Sequence, residues 1–281
     1  MFLSIKPPDV DGRYFIGTIH RGLRILEAFS EARPSLSLVE IAAAVDLDKS
    51  TAFRFVYTLQ ELGYLERDPE TKRYRPGLKV LRLGFTVLNG LDSAQIARPY
   101  LKSLSAQTGT AANMALRDGT EIVYIQRVSP LQILNVNLHV GSRLPVHCSS
   151  MGKAQLLDFS CDELDALLGS GPYQAYTPHT IIRRDALCAD LARARERGYA
   201  VSDEEMLVGI RSIAAPIRDT AGEIVAAINV SAASAGLSRP EMEARYAREV
   251  VDTAARISRE LGAAPETPPI RRQRREESEE E

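Results

Sequence analysis

The segment from Ser37 to Gly63 constrains the fold most, because two helix starts and one helix end follow each other at close spacing. Ser37 and Glu40 fit the capping box, in which the serine accepts from a backbone amide and the glutamate reaches back. Asp48 is a suitable N-cap for the next helix, and Gly63 is the residue type that commonly ends one. The predicted elements are a helix over 38–45, a tight turn over 46–48 and a helix over 49–62.

Apolar residues at helical spacing also precede this segment. They are Ile19, Leu23, Leu26 and Phe29. Thr18 is the expected N-cap, and the pattern stops before Arg33 and Pro34. Three short helices with a tight turn between the last two predict a helix-turn-helix, the arrangement that places its last helix in the major groove of DNA.

The last of these helices divides into two faces. The residues expected to pack inward are Ala52, Phe55, Val56, Leu59 and Leu62, and those expected to point outward are Lys49, Ser50, Phe53, Arg54, Tyr57 and Thr58. Ser50, Phe53, Arg54 and Tyr57 form what we call the outer stripe. Its hydroxyls, guanidinium and aromatic rings favour the reading of base edges. The alternative is an ordinary solvated helix face, on which two exposed aromatic residues are unusual.

A β-hairpin is predicted after Gly63, with strands on either side of the turn at 68–71. The returning strand carries Lys72, Arg73 and Arg75. Basic residues on such a wing are expected to bind phosphates and to fix position without reading sequence. The further expected DNA contacts are Ser37, Lys49 and Thr51.

Composition describes a globular protein of two domains, with 281 residues, 44% of them hydrophobic and 26% charged. Net charge does not point to nucleic acid, since residues 1–76 carry eleven basic and eleven acidic side chains. The prediction of DNA binding therefore depends on where the charges lie.

An α+β domain is predicted after the wing, beginning with a linker helix over 78–91. The further helices are expected at 94–107, 152–159, 161–168, 185–197 and 239–261. The strands are expected at 111–116, 121–128, 131–140, 209–218 and 223–231. The last two strands are joined by a turn at 219–222 and are therefore antiparallel. Residues 263–281 are rich in proline and charge, and we expect a disordered tail.

Three cysteines, Cys148, Cys161 and Cys188, lack the spacing of a zinc site or a disulfide framework, and we expect each to be a small packed residue. We expect no metal and no cofactor. The chain has no run of 18 apolar residues and no signal-peptide pattern, which favours a cytoplasmic protein without a membrane span.

The sequence resembles the IclR family of bacterial transcriptional regulators over about residues 16–262. The most specific segments are Arg21–Leu26, Leu47–Arg54, Leu62–Leu65, Leu144–Ala154, Gly209–Ile217 and Ala226–Ser231. The resemblance implies a winged helix-turn-helix domain over 16–77, the linker helix and a GAF-like effector domain over 92–262. It further implies a dimer or a dimer of dimers on a pseudo-palindromic operator. Within the family the chain is most similar to regulators of aromatic-acid breakdown.

The resemblance also implies an effector site for a small organic acid, either aromatic or dicarboxylic. Its walls would be Ser150, Met151 and Gly152 on one side and Pro216, Asn229 and Ser231 on the other. A helix starting at Gly152 would favour a carboxylate through its dipole. Arg127 is a candidate partner for that carboxylate or a surface arginine at a strand end, and His147 is a structural residue or a ligand contact.

Two other functions are weighed against effector binding. No GxSxG, HExxH or P-loop motif occurs, and Ser149 and Ser150 have no identifiable general base, so we expect no enzymatic activity and no catalytic residue. A second domain that serves only oligomerisation remains open, because a fold does not define a function.

Overall fold

A computed structural model describes residues 13–30, 32–130 and 138–264, and the predicted charged tail lies outside these residues apart from its first two positions. The chain divides into two compact units between Gly90 and Leu91. The linker helix belongs to the first of them.

In its described residues, the N-terminal unit has three helices, a hairpin and a fourth helix after the hairpin. Its elements are α1 (Gly17–Glu27), α2 (Leu38–Ala44), α3 (Lys49–Glu61), β1 (Leu65–Arg67), β2 (Tyr74–Pro76) and α4 (Lys79–Asn89). Strands β1 and β2 pair antiparallel, as the wing prediction requires. The core of the unit contains Ile25, Ile41, Val56 and Leu65.

The helix ends in this unit follow the sequence signals closely. Ser37 and Glu40 form the complete capping box, and hydrogen bonds from Ser37 hold the pKa of Glu40 down to about 2. The Asp48 side chain accepts from the amides of Ser50 and Thr51 at 3.0 Å. Gly63 follows α3 with a φ of 78°, a left-handed conformation that favours glycine.

Two details of the N-terminal prediction are wrong. Helix α1 begins at Gly17 after Ile16, and its N-cap makes no side-chain hydrogen bond, so Thr18 is not a cap. Leu62, expected in the core, is the C-cap of α3 and is exposed.

The C-terminal unit is an α+β domain, as predicted. Its elements are α5 (Asp92–Thr108), β3 (Ala111–Asp118), β4 (Glu121–Val128), β5 (Arg143–Pro145), α6 (Ser150–Gln155), α7 (Cys161–Leu168), α8 (Arg184–Arg197), β6 (Ala200–Asp203), β7 (Ile210–Arg218), β8 (Ile224–Ala233) and α9 (Arg239–Glu260). The six strands form an antiparallel sheet in the order β5-β4-β3-β8-β7-β6.

Helices cover both faces of this sheet. One face carries α5 and α9, and the other carries the core that α6, α7 and α8 build with side chains such as Ala115, Ala214 and Ala227. Since alternate residues of a strand point to opposite faces, every second residue of β7 and β8 faces α6.

The structure corrects several predicted elements here. The strand expected over 131–140 lies mostly outside the described residues, and 138–140 form no strand. Strands β5 and β6 were not predicted, because three or four residues carry too little alternation. The helix expected over 152–159 begins earlier and is only six residues long. Cys161 and Cys188 are paired as a disulfide between α7 and α8, contrary to the expected separate thiols.

Candidate DNA-reading and effector sites

The outer stripe lies on the exposed face of α3. Ser50, Phe53, Arg54 and Tyr57 are all exposed, whereas Ala52 and Val56 on the opposite face are completely buried. Asp48 fixes the start of the helix, so this face is held rigidly relative to the core. The face can therefore present hydroxyl, guanidinium and aromatic groups to one groove at the same time.

The basic side chains of the wing are already engaged within the domain. Arg73 donates to the Ser35 hydroxyl and carbonyl at 3.2 and 2.9 Å and pairs with Glu40 at 2.9 Å. Arg75 forms a bidentate pair with Glu66, and Lys72 donates to the Pro69 carbonyl. Arg73 thus fastens the wing to the start of α2, which is a different role from the expected phosphate contact.

The other residues expected to contact DNA differ in how accessible their side chains are. Lys49 is exposed at the first position of α3. Ser37 and Thr51 are half-buried, and their side chains take part in the caps of α2 and α3. Lys49 is therefore the most accessible of the three.

A cavity of about 200 Å³ lies between α6, the loop after β6 and the sheet of the C-terminal unit. The residues lining it are Ala111, Tyr124, Arg127, Leu138, Leu144, Ser149, Ser150, Met151, Ser202, Met206, Leu207, Ile210, Ser212, Asn229 and Ser231. Five of the seven predicted effector residues are brought together here, namely Arg127, Ser150, Met151, Asn229 and Ser231.

The other two predicted residues, Gly152 and Pro216, do not line the cavity. A Cβ at Gly152 would collide with the Val146 backbone and would lie 2.6 Å from the Ser149 hydroxyl, so this glycine permits close packing of α6 against the preceding loop. Pro216 shares the sheet face with Ser212 but lies farther along β7, opposite Ala227. Pro216 is half-buried at that position and does not reach the cavity.

Most polar side chains at the floor of the cavity form hydrogen bonds with other groups of the protein. Asn229 donates to the Ser150 and Ser231 hydroxyls, both at 3.2 Å, and accepts from the Asn113 amide at 2.8 Å. Asn229 and Ser231 therefore have hydrogen-bond partners within the protein. The buried Asn113 Oδ1 is different, because it has no hydrogen-bond partner among the described residues.

Asn113 is a candidate residue that sequence reasoning missed. Strand register places it directly between Arg127 on β4 and Asn229 on β8, so the three side chains share one sheet face. The signal was an asparagine within the otherwise apolar segment 111–116. Ser202, Ser212 and Tyr124 were missed as well, since only the sheet order shows that they meet at the cavity.

Arg127 is the charged group of this cavity. No other ionisable acid or base except Tyr124 stands among the described lining residues, and the Arg127 guanidinium makes no hydrogen bond or ion pair with a described residue. Burial raises the pKa of Tyr124 to about 12, so its phenol stays neutral. The described lining therefore carries one positive charge.

Helix α6, which borders the cavity, is a weaker anion-binding site than the sequence predicted. Helix α6 has six residues, and its Gly152 amide donates to the Ser149 hydroxyl at 3.2 Å. Neighbouring His147 does not line the cavity: its Nε2 donates to the Gln174 carbonyl at 3.0 Å, and burial lowers its pKa. His147 has the structural role that was the alternative to ligand contact.

A buried ion cluster holds the cavity walls in place. Lys153 of α6 is 0% exposed and pairs with Asp190 of α8 at 2.9 Å and Glu205 at 2.6 Å. Burial raises the pKa of Glu205, whereas for Asp190 the charge and hydrogen bond of Lys153 outweigh burial and lower it. Since Met206 and Leu207 follow Glu205 directly, the cluster joins α6 to the loop that closes the cavity.

Within the described residues, no group of three potential metal ligands is found. In the same part of the chain, no helix combines the length and apolar character that crossing a bilayer requires.

A winged helix-turn-helix and an α+β domain with a cavity, present in one chain, define a class of DNA-binding regulators that respond to a small molecule. Family models bear this out: the IclR helix-turn-helix domain matches residues 18–69, and the C-terminal domain of the bacterial transcriptional regulator IclR matches residues 85–259.

Relatives and a solved structure agree with the family models. The chain is 33% identical over 247 residues to the HTH-type transcriptional regulator XynR of Escherichia coli, covering 88% of this chain and 98% of that protein. It is 36% identical to the Pca regulon regulatory protein of Pseudomonas putida, covering 83% and 79%. The crystal structure of an IclR homolog from Microbacterium hydrocarbonoxydans, complexed with 4-hydroxybenzoate, superposes with a TM-score of 0.74 at 26% identity, covering 88% and 99%.

The chain belongs to the IclR family of bacterial transcriptional regulators. It is a regulator rather than an enzyme, as the sequence predicted, and regulators of this class bind DNA through the helix-turn-helix and a small molecule through the C-terminal domain.

Proposed function

We propose that this regulator controls transcription in response to a small monoanionic organic acid bound in the C-terminal cavity. The observation that carries the proposal is Arg127, a guanidinium without a hydrogen-bond partner in the described lining, beside an otherwise uncharged wall. Arg127 is half-buried, and one carboxylate neutralises one guanidinium in a bidentate pair.

The size of the cavity supports an aromatic acid. An engineered apolar cavity of about 150 Å³ accepts benzene, and the present cavity of about 200 Å³ has room for a ring with a carboxyl group. The lining is apolar around Leu138, Leu144 and Met206 and polar around Asn229. The 4-hydroxybenzoate complex of the Microbacterium homolog and the name of the Pca regulon protein point in the same direction.

The effector is tested by thermal unfolding of the full chain with a panel of benzoates, hydroxybenzoates and short dicarboxylates. A ligand at 100 times its Kd stabilises the folded state by about 2.7 kcal/mol. We expect a monocarboxylate aromatic acid to raise the melting temperature of the C-terminal unit. In Arg127→Gln this shift should be lost, because the carboxylate loses its counterion.

Arg248→Ala is the matched control, since Arg248 lies exposed on α9 and its ion pair with a described residue is the exposed one with Asp252. This variant should keep the full ligand response. If no acid of the panel shifts the melting temperature of wild type, the effector proposal fails, and the result favours a second domain that serves oligomerisation only. A shift that survives in Arg127→Gln would place the carboxylate elsewhere.

On the DNA side, we propose that α3 enters the major groove and that its outer stripe reads base edges. Two copies of the chain would place two α3 helices in successive grooves, about 34 Å apart, on a pseudo-palindromic operator. The exposed position of all four stripe residues and of Lys49 supports this arrangement. The cytoplasm is where such a regulator would meet its operator.

Arg54→Ala tests the reading role of α3. Loss of a bidentate contact with guanine should cost about 1–3 kcal/mol of binding free energy and relax the preference at one base position. Binding to operators that differ at single positions measures both effects at fixed salt. Arg21→Ala, an exposed arginine on α1, should leave the base preference unchanged. An unchanged preference in Arg54→Ala would contradict the assignment.

A further inference from the structure

Two aromatic rings stand side by side on the outer stripe. Phe53 and Tyr57 are one helical turn apart on α3, with ring centroids 6.2 Å apart and planes inclined by 35°. They remain 47% and 54% exposed, and neither belongs to the hydrophobic core of the N-terminal unit. The folded domain therefore does not use this apolar area.

The chemistry of these rings limits what they can recognise in a groove. Phe53 has no polar atom, and the Tyr57 hydroxyl makes no hydrogen bond with a described residue. An apolar side chain cannot read donors and acceptors on base edges. The 5-methyl group of thymine is the apolar feature that the major groove displays, and contact with it distinguishes thymine from cytosine.

The surroundings of the rings fit DNA. Arg54 and Ser50 flank them on the same exposed face, and Lys49 lies one turn towards the helix start. A base pair occupies about 3.4 Å along the duplex, so rings 6.2 Å apart reach base pairs that are neighbours or two steps apart.

We propose that Phe53 and Tyr57 are a thymine-reading pair, each packing its ring on the 5-methyl group of one thymine within the same half-site. The proposal rests on the proposed entry of α3 into the major groove and specifies which bases the operator carries there. It predicts an operator in which two thymines lie within two base-pair steps of each other.

The test removes only the methyl groups. The full chain first selects operators from random duplexes, and each thymine of the selected site is then replaced singly by deoxyuridine, which keeps all hydrogen-bonding atoms. Dissociation constants are measured at one salt concentration, because affinity for DNA depends strongly on salt. At two positions we expect the replacement to weaken binding about fourfold, which corresponds to about 0.8 kcal/mol for one buried methyl-sized group.

Substitutions of Phe53 and Tyr57 show which ring contacts which thymine methyl group. Phe53→Ala should bind thymine and deoxyuridine equally at one position, and Tyr57→Ala should do so at the other. Tyr57→Phe is the matched control and should retain both preferences, because the ring is kept. Arg54→Ala should bind more weakly and retain the preference for thymine over deoxyuridine. Both rings are exposed, so circular dichroism of the alanine variants should match wild type.

Three results would overturn the proposal. Equal binding of thymine and deoxyuridine at every position of a selected operator would do so while leaving DNA binding by α3 intact. A deoxyuridine effect that is the same in wild type, Phe53→Ala and Tyr57→Ala would show that the methyl groups act through the shape of the DNA. Failure to enrich any operator would remove the proposed function and this inference together.

Discussion

At the scale of single residues, Lys153 shows how strongly one side chain can depend on its surroundings. The ammonium group is completely buried, and Asp190 and Glu205 supply two carboxylates within 3 Å. Removing one partner of a buried ion cluster leaves an uncompensated charge, whereas an exposed pair contributes little. Glu205 depends most on Lys153, since its Oε2 has no hydrogen-bond partner among the described residues.

Lys153→Met should therefore lower the free energy of unfolding of the C-terminal unit by about 3–5 kcal/mol. Urea titration, with hydrogen exchange to assign the transition to that unit, measures the loss. Asp252→Asn, which breaks the exposed pair with Arg248, should change stability by less than about 1 kcal/mol. Equal effects of the two substitutions would show that the cluster does not stabilise the fold.

At the scale of elements, helix α6 is short because its position is set by packing and not by helix propensity. Its six residues are all buried, and Gly152 lets the helix approach the backbone of Val146. A Cβ at Gly152 would lie 2.5 Å from the Val146 carbonyl oxygen, a distance that real Cβ atoms do not show. This contact sets the position of Ser150 and Met151 at the cavity.

Gly152→Ala should destabilise the C-terminal unit by about 1–3 kcal/mol, because overpacking outweighs the gain of about 1 kcal/mol that alanine normally brings to a helix. Gly84→Ala provides the contrast, since a Cβ at Gly84 of α4 meets nothing within 4 Å. That substitution should be neutral or stabilising. The urea midpoints of the two units measure both effects, and a stabilising Gly152→Ala would refute the packing argument.

At the scale of the whole molecule, the N-terminal unit exposes more apolar surface than a monomer needs. Ile19 and Leu23 of α1 are 58% and 53% exposed, and Leu81, Leu83 and Val87 of α4 are exposed as well. Exposed apolar side chains are a feature of surfaces that bind other proteins. We propose that α1 and α4 join two copies of the chain, which would supply the two α3 helices that a pseudo-palindromic operator requires.

Leu23→Glu should therefore disrupt association, because a charge in an apolar interface is left without a partner. Sedimentation velocity should show a smaller species than wild type, and affinity for a two-half-site operator should fall. Val39→Glu is the control, since Val39 is exposed on α2, a helix that the proposed interface does not include. Sedimentation of Leu23→Glu at the wild-type rate would exclude α1 from the interface.

The helix ends of the N-terminal unit and the two faces of α3 could be predicted from the amino-acid sequence, because the signals for them are local. The capping box at Ser37, the aspartate cap at Asp48 and the left-handed Gly63 act within a few residues, and helix periodicity separates the two faces of α3. These signals predicted the elements to within two residues and the outer stripe correctly. The turn at 219–222 fixed the antiparallel order of β7 and β8 in the same way.

The remaining interactions join residues far apart in the chain, so they are visible only in the folded structure. The pairing of Arg73 with Glu40, the ion cluster around Lys153 and the row from Arg127 through Asn113 to Asn229 depend on strand order and on which helices meet. Composition and periodicity do not predict which distant residues become partners. The sequence thus specified which helix presents the outer stripe, whereas the fold alone showed that Arg127 is the charged residue among the described lining of the C-terminal cavity.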